Sequence, residues 1–537
     1  MSRRLSEIIP PALALEAIGP ADLEIEGLAY DSRAVGPGYL FFALPGLHAD
    51  GHRYIPQALA AGAVAVLHSL PIADPEPGVA YVRVEDPRFA MSPIAAAFHL
   101  WPSKDLLVAG VTGTEGKSTT VYLAYQLLKL AGKRAGFFST VMSDSGKGER
   151  PNPEHQTTPE APAVQRMLAE MRDAGLEYAV VESSSHGLSP RTNRLGDVCF
   201  DAGAMMNVTS EHLEFHGTWE RYRDDKANLF RALGSGSKGP PAAVAPFGVV
   251  NADDPSADYF RAATKALVLS FSAAGREDAD LSARDIDVDA AGASFEIAHR
   301  AGSAAEGRGV PEIRRYAARL ELPGAFNVGN ALAAILLASG LTGLGVESFV
   351  PLLPLLRPVR GRMTAIDRGQ DFEVIVDYAH TPSSFQTVFP PLRARVAGRM
   401  ICVFGSGGER DTEKRPRQGR IAADYFDVVV LADEDPRGED PMALLEDIAA
   451  GCPELVLGER LFLIPDRPTA IRKAFSLAGK GDLVALLGKG HENSIIYAKA
   501  TMPYDEIGEA EKALAEMGYA SGNASGNANG DAEGSHR

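Results

Sequence analysis

The chain has 537 residues, 45% hydrophobic and 23% charged, with a formal net charge of −17 at pH 7. That length exceeds what one core sustains and predicts about three domains, while no apolar run approaches the roughly 20 residues a membrane span needs, so a soluble protein is expected. The acidic balance argues against a nucleic-acid partner, whose binding rests on Lys and Arg neutralising phosphates.

The N-terminal segment carries Arg3 and Arg4 but soon meets Glu7, Pro10 and Glu16 and lacks a small-residue cleavage site, so a cytoplasmic location is expected. Cys199, Cys402 and Cys452 form no CxxC pair and read as reduced packing residues. Residues 1–103 alternate β-like runs ("YLFFALPG", "AVAVLHSL", "VAYVRVED") with a helical stretch, "RYIPQALAAGA", and predict a small α/β domain. From "LLVAGVTG" onward, apolar strands alternate with helical segments, which predicts a central domain with a mostly parallel sheet over 104–339. Within it, "AAGREDADLSARDIDVDAAGASFEI" begins a strand-rich insert before the helix at "NVGNALAAILLAS". A second boundary is expected near Gly340 to Pro358, with a C-terminal Rossmann-like α/β domain over 340–518, its strands "FEVIVDYAH", "MICVFGSGG", "DVVVLADE" and "DLVALLGKG" each leading into Gly, Asp or His where ligands gather in open α/β sheets. Residues 519–537 are low-complexity and almost free of apolar side chains, so a disordered tail is expected.

"GVTGTEGKSTT", Gly110 to Thr120, is a strand, a glycine-rich turn and a helix start, the arrangement that aims backbone N–H groups at phosphate oxygens. It varies the GxxxxGK[ST] pattern, with Val111 where glycine is usual and glycines at Gly110 and Gly113. Lys117 would reach the terminal phosphates and Ser118 would ligate Mg²⁺; the plainer alternative is a strand-to-helix turn with a solvated lysine. "VVESSSHG" ends a strand with Glu182, three serines and His186 but lacks a GxSxG elbow, so a Mg²⁺ carboxylate is the better reading than a Ser/His hydrolase. Further on stand His212, His216 and Lys226, which taken singly read as a loop histidine and the polar face of a helix.

Taken together, TGTxGK[ST], E-x-S-S-H and the "EHLEFHG" block with its following lysine resemble the Mur ligase family of peptidoglycan precursor synthesis. The similarity extends to "DSRAVGPGYLFFALPGLHADGHRYI", "TTPEA", "VVNADDP", "LPGAFNVGNALAA", "VRGRM", "IVDYAHTP", "VFGSGGERDTEKRP" and "GKGHE", and points to the branch that adds the third residue of the stem peptide. The resemblance implies an ATP- and Mg²⁺-dependent ligase, a monomer, joining a diamino acid (meso-diaminopimelate, L-lysine or L-ornithine) to UDP-MurNAc-L-Ala-D-Glu through an acyl phosphate. It implies catalytic Lys117, Glu182, His212 and Lys226, of which Glu182, His212 and Lys226 join Ser118 as metal ligands, with Lys226 as N6-carboxylysine. ATP contacts would be Gly113, Thr114, Gly116, Lys117, Ser118, Thr119, Asn327, Asn330, Arg362, Asp377 and His380. The nucleotide-sugar dipeptide would meet Ser32, Thr157, Thr158, Ser184 and Arg194, with Arg191 open as the alternative because "HGLSPRTNRLGD" is about two residues longer than usual. The amino acid would be read by Arg410, Asp435, Arg437, Gly488 and Glu492; Arg410 and Arg437 suit diaminopimelate, whereas Asp435, where asparagine is usual for that acceptor, suits lysine or ornithine. Alternatives are another Mur-type or folylpolyglutamate-type amide ligase, or a P-loop nucleotide-binding protein without synthesis.

Overall fold

A computed structural model describes residues 2–46, 50–152, 156–209, 213–234, 244–289, 292–301 and 312–519. The chain divides into two compact units, Met1–Arg357 and Pro358–Arg537.

The first unit opens with a five-stranded sheet ordered Glu16–Ile18, Ala80–Arg83, Ala63–His68, Tyr39–Phe42 and Gly27–Ala29, parallel except at its first strand. Helix Pro87–Phe98 follows, started by Asp86, whose carboxylate accepts from the amides of Arg88 and Phe89. It buries Ala90, Met91, Ile94 and Phe98 with Leu40, Phe42, Leu67 and Val82 of the sheet, and it also packs against helix Ala161–Asp173. Residues 1–103 thus have their own sheet yet belong to the first compact unit.

The second sheet of this unit has eleven strands among the described residues. Its centre runs parallel in the order Ala135–Phe138, Tyr178–Glu182, Leu107–Thr112, Ala202–Met205, Phe247–Asn251 and Leu267–Ser272. Helices cover both faces of such a sheet, which is why its strands read as unbroken apolar runs rather than alternating ones. The strand-rich segment after Ala274 adds Leu281–Val288 in parallel, then Ala293–Ala301 and Glu312–Leu320 antiparallel, widening the same sheet. Within the stretch from Gly340 to Pro358 expected to hold the boundary, helix Phe326–Thr342 runs past residue 340 and the first unit closes at Arg357. Its last residue is fixed to the helix of the glycine-rich loop: Gln126 Nε2 donates to Arg357 O at 3.0 Å, Arg357 N donates to Gln126 Oε1 at 2.9 Å, and the Arg357 guanidinium donates to Glu149 Oε1 at 2.9 Å.

The second unit holds a six-stranded sheet ordered Thr364–Ile366, Glu373–Asp377, Leu483–Leu487, Met400–Phe404, Val428–Leu431 and Leu461–Leu463, parallel but for the first strand. Its apolar core gathers Val374, Val376, Ile401, Val430, Ile471 and Leu514. Tyr519, placed by sequence at the start of the tail, sets its ring edge-on to Phe372 with centroids 6.1 Å apart, and the rest of that tail lies outside the described residues. No single helix among the described residues is long and apolar enough to cross a membrane. All three cysteines are free and buried.

Candidate active site

Gly116 takes φ +82°, and a Cβ there would stand 2.6 Å from Asn330 Oδ1, so glycine is required both for the turn and for the close approach of helix Phe326–Thr342. Helix Lys117–Leu130 begins at the next residue and leaves its first amides directed back at the loop. Asn207, at the end of the neighbouring strand, fastens that loop: its Oδ1 accepts from Thr114 N at 3.1 Å and Glu115 N at 2.8 Å. Lys117 Nζ donates to Thr114 O at 2.7 Å, folded over the loop that carries it.

Two partners from distant sequence meet this loop. Glu182 lies directly across the parallel ladder from Val111 and is 1% exposed; its Oε2 accepts from Ser118 Oγ at 2.8 Å and from Thr140 N at 2.7 Å, while Oε1 accepts from Thr140 Oγ1 at 3.0 Å. Lys226, on helix Trp219–Arg231 and 1% exposed, donates from Nζ to Gly113 O at 2.7 Å and lies over the Tyr222 ring at 4.3 Å. The Tyr222 hydroxyl is in turn 3.1 Å from Thr114 Oγ1. His212 lies outside the described residues. His216, whose imidazole sits between Asp225 Oδ2 at 2.7 Å and Ser185 Oγ at 3.1 Å, is held in place by its neighbours on both sides.

A hydroxyl and a carboxylate are hard oxygen donors, and Mg²⁺ commonly takes one or two such groups with phosphate oxygens and waters completing its shell. Ser118 and Glu182 fit that demand. Among the described residues no group of three or more His, Cys, Asp or Glu could hold a metal unaided.

The residues expected to meet the dipeptide gather beyond Glu182. Thr158 Oγ1 donates to Glu182 O at 3.0 Å and accepts from Ser184 N at 3.0 Å, and Ser184 Oγ accepts from Gly187 N at 3.1 Å to start the short helix Ser185–Leu188. Thr157 is next to it in the chain and half-buried. The fold separates the two candidate arginines: Arg194 donates to Thr158 O at 2.8 Å and to Glu160 Oε1 at 2.9 Å, whereas Arg191 donates to Phe215 O at 2.6 Å and lies over the Phe215 ring. Ser32 is buried in the first sheet's domain with its hydroxyl on Gln57 Oε1 at 3.1 Å, and Asp31 closes an Asx-type turn by accepting from Arg33 N at 2.9 Å. On the helix behind the loop, Asn330 Oδ1 accepts from Thr120 Oγ1 at 3.3 Å and its Nδ2 donates to Asn327 Oδ1 at 3.0 Å.

The second unit makes its own cluster at the carboxyl ends of its strands. Asp377 accepts from Met363 N at 2.7 Å and Ala379 N at 2.8 Å; burial raises its pKa, opposed by the Arg362 charge and these two amides. Arg362 lies over the Tyr378 ring at 4.5 Å, and His380 Nδ1 is 2.8 Å from Tyr378 O. The Tyr378 hydroxyl donates to Glu492 Oε1 at 3.1 Å. Lys489, fully buried, donates to Asp435 Oδ1 at 2.9 Å and Glu492 Oε2 at 2.5 Å. Burial works against its ammonium, but the charges of Glu492 and Asp435 outweigh that and raise its pKa. Burial also lifts Asp433, bonded by Tyr497, to about 6 and drives His491 down to about 3, helped there by Arg362, His380 and Lys489. Gly488, at φ +95°, faces Glu434, whose buried Oε2 has no partner among the described residues. Arg437 takes φ +53° and donates its amide to Ile496 O at 2.9 Å, while Arg410 is exposed.

Family models match along the chain: the Mur ligase family catalytic domain over residues 24–99, the Mur ligase middle domain over 111–338 and the Mur ligase glutamate ligase domain over 361–490. The chain belongs to the Mur ligase family. It is an ATP-dependent ligase of peptidoglycan precursor synthesis. It is 51% identical over 534 residues to the UDP-N-acetylmuramyl-tripeptide synthetase of Treponema denticola, covering 96% of this chain and 98% of that relative. It is 37% identical over 497 residues to the UDP-N-acetylmuramoyl-L-alanyl-D-glutamate--2,6-diaminopimelate ligase of Geobacillus kaustophilus, covering 92% and 96%. A solved UDP-N-acetylmuramoyl-L-alanyl-D-glutamate--2,6-diaminopimelate ligase aligns with a TM-score of 0.61 at 28% identity over 96% of this chain and all of that one.

In this Mur ligase, residues that the sequence motifs did not single out also support the loop and its partners. Asn207 and Thr140 act by fixing loop amides and the Glu182 carboxylate, and the signal for both was a polar residue just past a strand of the central sheet. Lys489 lies inside the "GKGHE" block, and its signal was a lysine two residues beyond a strand end, between Gly488 and Gly490.

Proposed function

We propose that the protein joins a diamino acid to the D-Glu side-chain carboxylate of UDP-MurNAc-L-Ala-D-Glu. The observation that carries this reading is the convergence of Ser118, Glu182 and Lys226 on one glycine-rich loop that also bears Lys117. A carboxylate oxygen of the dipeptide attacks the γ-phosphorus of ATP, ADP leaves, the amine nitrogen attacks the acyl carbon, and phosphate leaves as the nitrogen sheds a proton. Splitting the reaction in this way gives a poor acyl donor a good leaving group. Lys117 leaves Thr114 O for the phosphoryl oxygens, where its charge stabilises the transferring group. Mg²⁺ would be held by Ser118 and Glu182 and would supply charge neutralisation there, and a carbamylated Lys226 with His212 would hold a second ion, since an ammonium cannot ligate a cation. Thr157, Thr158, Ser184 and Arg194 hold the dipeptide, Ser32 the uridine nucleotide, and Asn327, Asn330, Arg362, Asp377 and His380 are the nucleotide contacts that the family resemblance implies.

For the acceptor, Asp435 and Glu492 share the buried Lys489, and the buried Glu434 Oε2 has no partner among the described residues. That surplus of carboxylates attracts a side-chain ammonium and repels a second carboxylate, which favours L-lysine or L-ornithine. Diaminopimelate is the second reading, favoured by Arg437 and Arg410, whose guanidinium forks match a carboxylate.

Phosphate release by the purified protein with ATP, Mg²⁺ and UDP-MurNAc-L-Ala-D-Glu, given each of the three amines separately, tests the reading. Release is expected only when dipeptide and amine are both present. Equal ATP hydrolysis with neither would overturn it.

A further inference from the structure

Arg194 does not hold its position alone. Glu160, 6% exposed, accepts on the same Oε1 from Arg194 at 2.9 Å and from Arg88 at 2.9 Å, and Arg88 lies on helix Pro87–Phe98 of the N-terminal sheet's domain. The loop bearing Arg194 docks on that helix twice more, through Asn193 Nδ2 to Phe89 O at 2.9 Å and Asp197 N to Ser92 Oγ at 3.2 Å. Two guanidiniums therefore share one carboxylate. Glu160 Oε2 and Arg194 Nε are buried without partners among the described residues, so the group is saturated on neither side. Arg194 NH1 meanwhile reaches Thr158 O, and Thr158 reaches both Ser184 N and Glu182 O.

We propose that Arg88 is a positioning residue for capture of the dipeptide carboxylate: by holding Glu160 it keeps Arg194 only half neutralised and aimed at the dipeptide site. This rests on the functional reading above. With both arginines in place the trio carries one net positive charge in a largely buried setting, where a ligand carboxylate is attracted strongly. Without Arg88, Glu160 is free to turn both oxygens onto Arg194 as a fork-on-fork pair, and the charge that draws the substrate is spent inside the protein.

The test is the steady-state kinetics of Arg88→Ala and Arg88→Lys in the full chain, alone and with Glu160→Gln. Arg88→Ala is expected to raise KM for UDP-MurNAc-L-Ala-D-Glu about tenfold, with kcat and KM for ATP nearly unchanged, and Arg88→Lys to recover part of the loss. In the Glu160→Gln background, Arg88→Ala is expected to add nothing, because no carboxylate remains to collapse onto Arg194. An unchanged KM for the dipeptide, or an equal loss in KM for ATP, would overturn the inference while leaving the functional reading intact. So would an undiminished Arg88→Ala effect in the Glu160→Gln background, which would make Arg88 a direct substrate contact. A wild-type protein that neither binds nor turns over the dipeptide overturns both.

Discussion

Ser118 Oγ donates to Glu182 Oε2 at 2.8 Å, joining the first turn of the loop's helix to the end of the adjacent strand. Glu182→Gln keeps the shape and an acceptor for Ser118 but removes the charge. Phosphate release is expected to fall by about 100-fold or more, the scale of losing one preorganised electrostatic partner. A thermal scan alongside is expected to move little, since Thr140 can still bond the amide oxygen.

Lys226 is buried against Gly113 O and the Tyr222 ring. If it is carboxylated in solution, ¹³C-bicarbonate gives a carbamate resonance in the wild-type NMR spectrum that Lys226→Met lacks. Activity of the wild type is expected to rise with added bicarbonate, and that of the variant to stay about 100-fold down or more.

Asp435 shares Lys489 with Glu492. Asp435→Asn retains an oxygen for that lysine and removes one negative charge from the proposed acceptor site. The ratio of kcat/KM for diaminopimelate over lysine is expected to rise by about tenfold, measured with the same phosphate-release assay. No change in that ratio would exclude Asp435 as a reader of the acceptor.

Gly488 has φ +95°, and an added Cβ would stand 2.8 Å from Glu434 Oε2. Gly343 is also left-handed, at φ +71°, but an added Cβ meets nothing within 4 Å. Gly343→Ala is expected to cost about 1 kcal/mol of backbone strain. Gly488→Ala is expected to cost more than that, and the excess in denaturant unfolding reports the Glu434 contact.

His491 is held down to about 3 by burial and by the charges of Arg362, His380 and Lys489. A histidine with a depressed folded-state pKa binds fewer protons folded than unfolded between about pH 3 and 6.5. Its contribution to stability is therefore complete above 6.5 and is lost as the pH falls through that range. Melting temperatures of His491→Gln are expected to fall less steeply from pH 7 to pH 4.5 than those of the wild type.

The sheets were legible because parallel strands covered on both faces read as unbroken apolar runs, and the loop because its glycines and lysine are fixed by local geometry. Where the boundary falls within the stretch from Gly340 to Pro358 was not legible, for a definite reason. Gly340 is a packing glycine inside its helix, where a Cβ would stand 2.3 Å from the Phe247 ring, and the helix stops at Gly343, which takes the left-handed cap conformation with its amide on Ser339 O. Spacing told nothing of whether Arg191 or Arg194 turns towards Thr158, because that depends on Glu160 and on the Phe215 ring, both remote in sequence. Asn207 and Thr140 stayed hidden because they carry no chemistry of their own. They hold amides and a carboxylate in place.

Glu182 takes its place from the backbone ladder, paired with Val111 in the strand that becomes the loop. A slip of one residue in that pairing would turn the carboxylate to the opposite face of the sheet, so its location is either right or wholly wrong, with no intermediate setting. The long turn from Ser189 to Asp197 is reached only after the ladder has ended. Variation in that turn can therefore change what Arg191 and Arg194 meet without shifting the register that places Glu182.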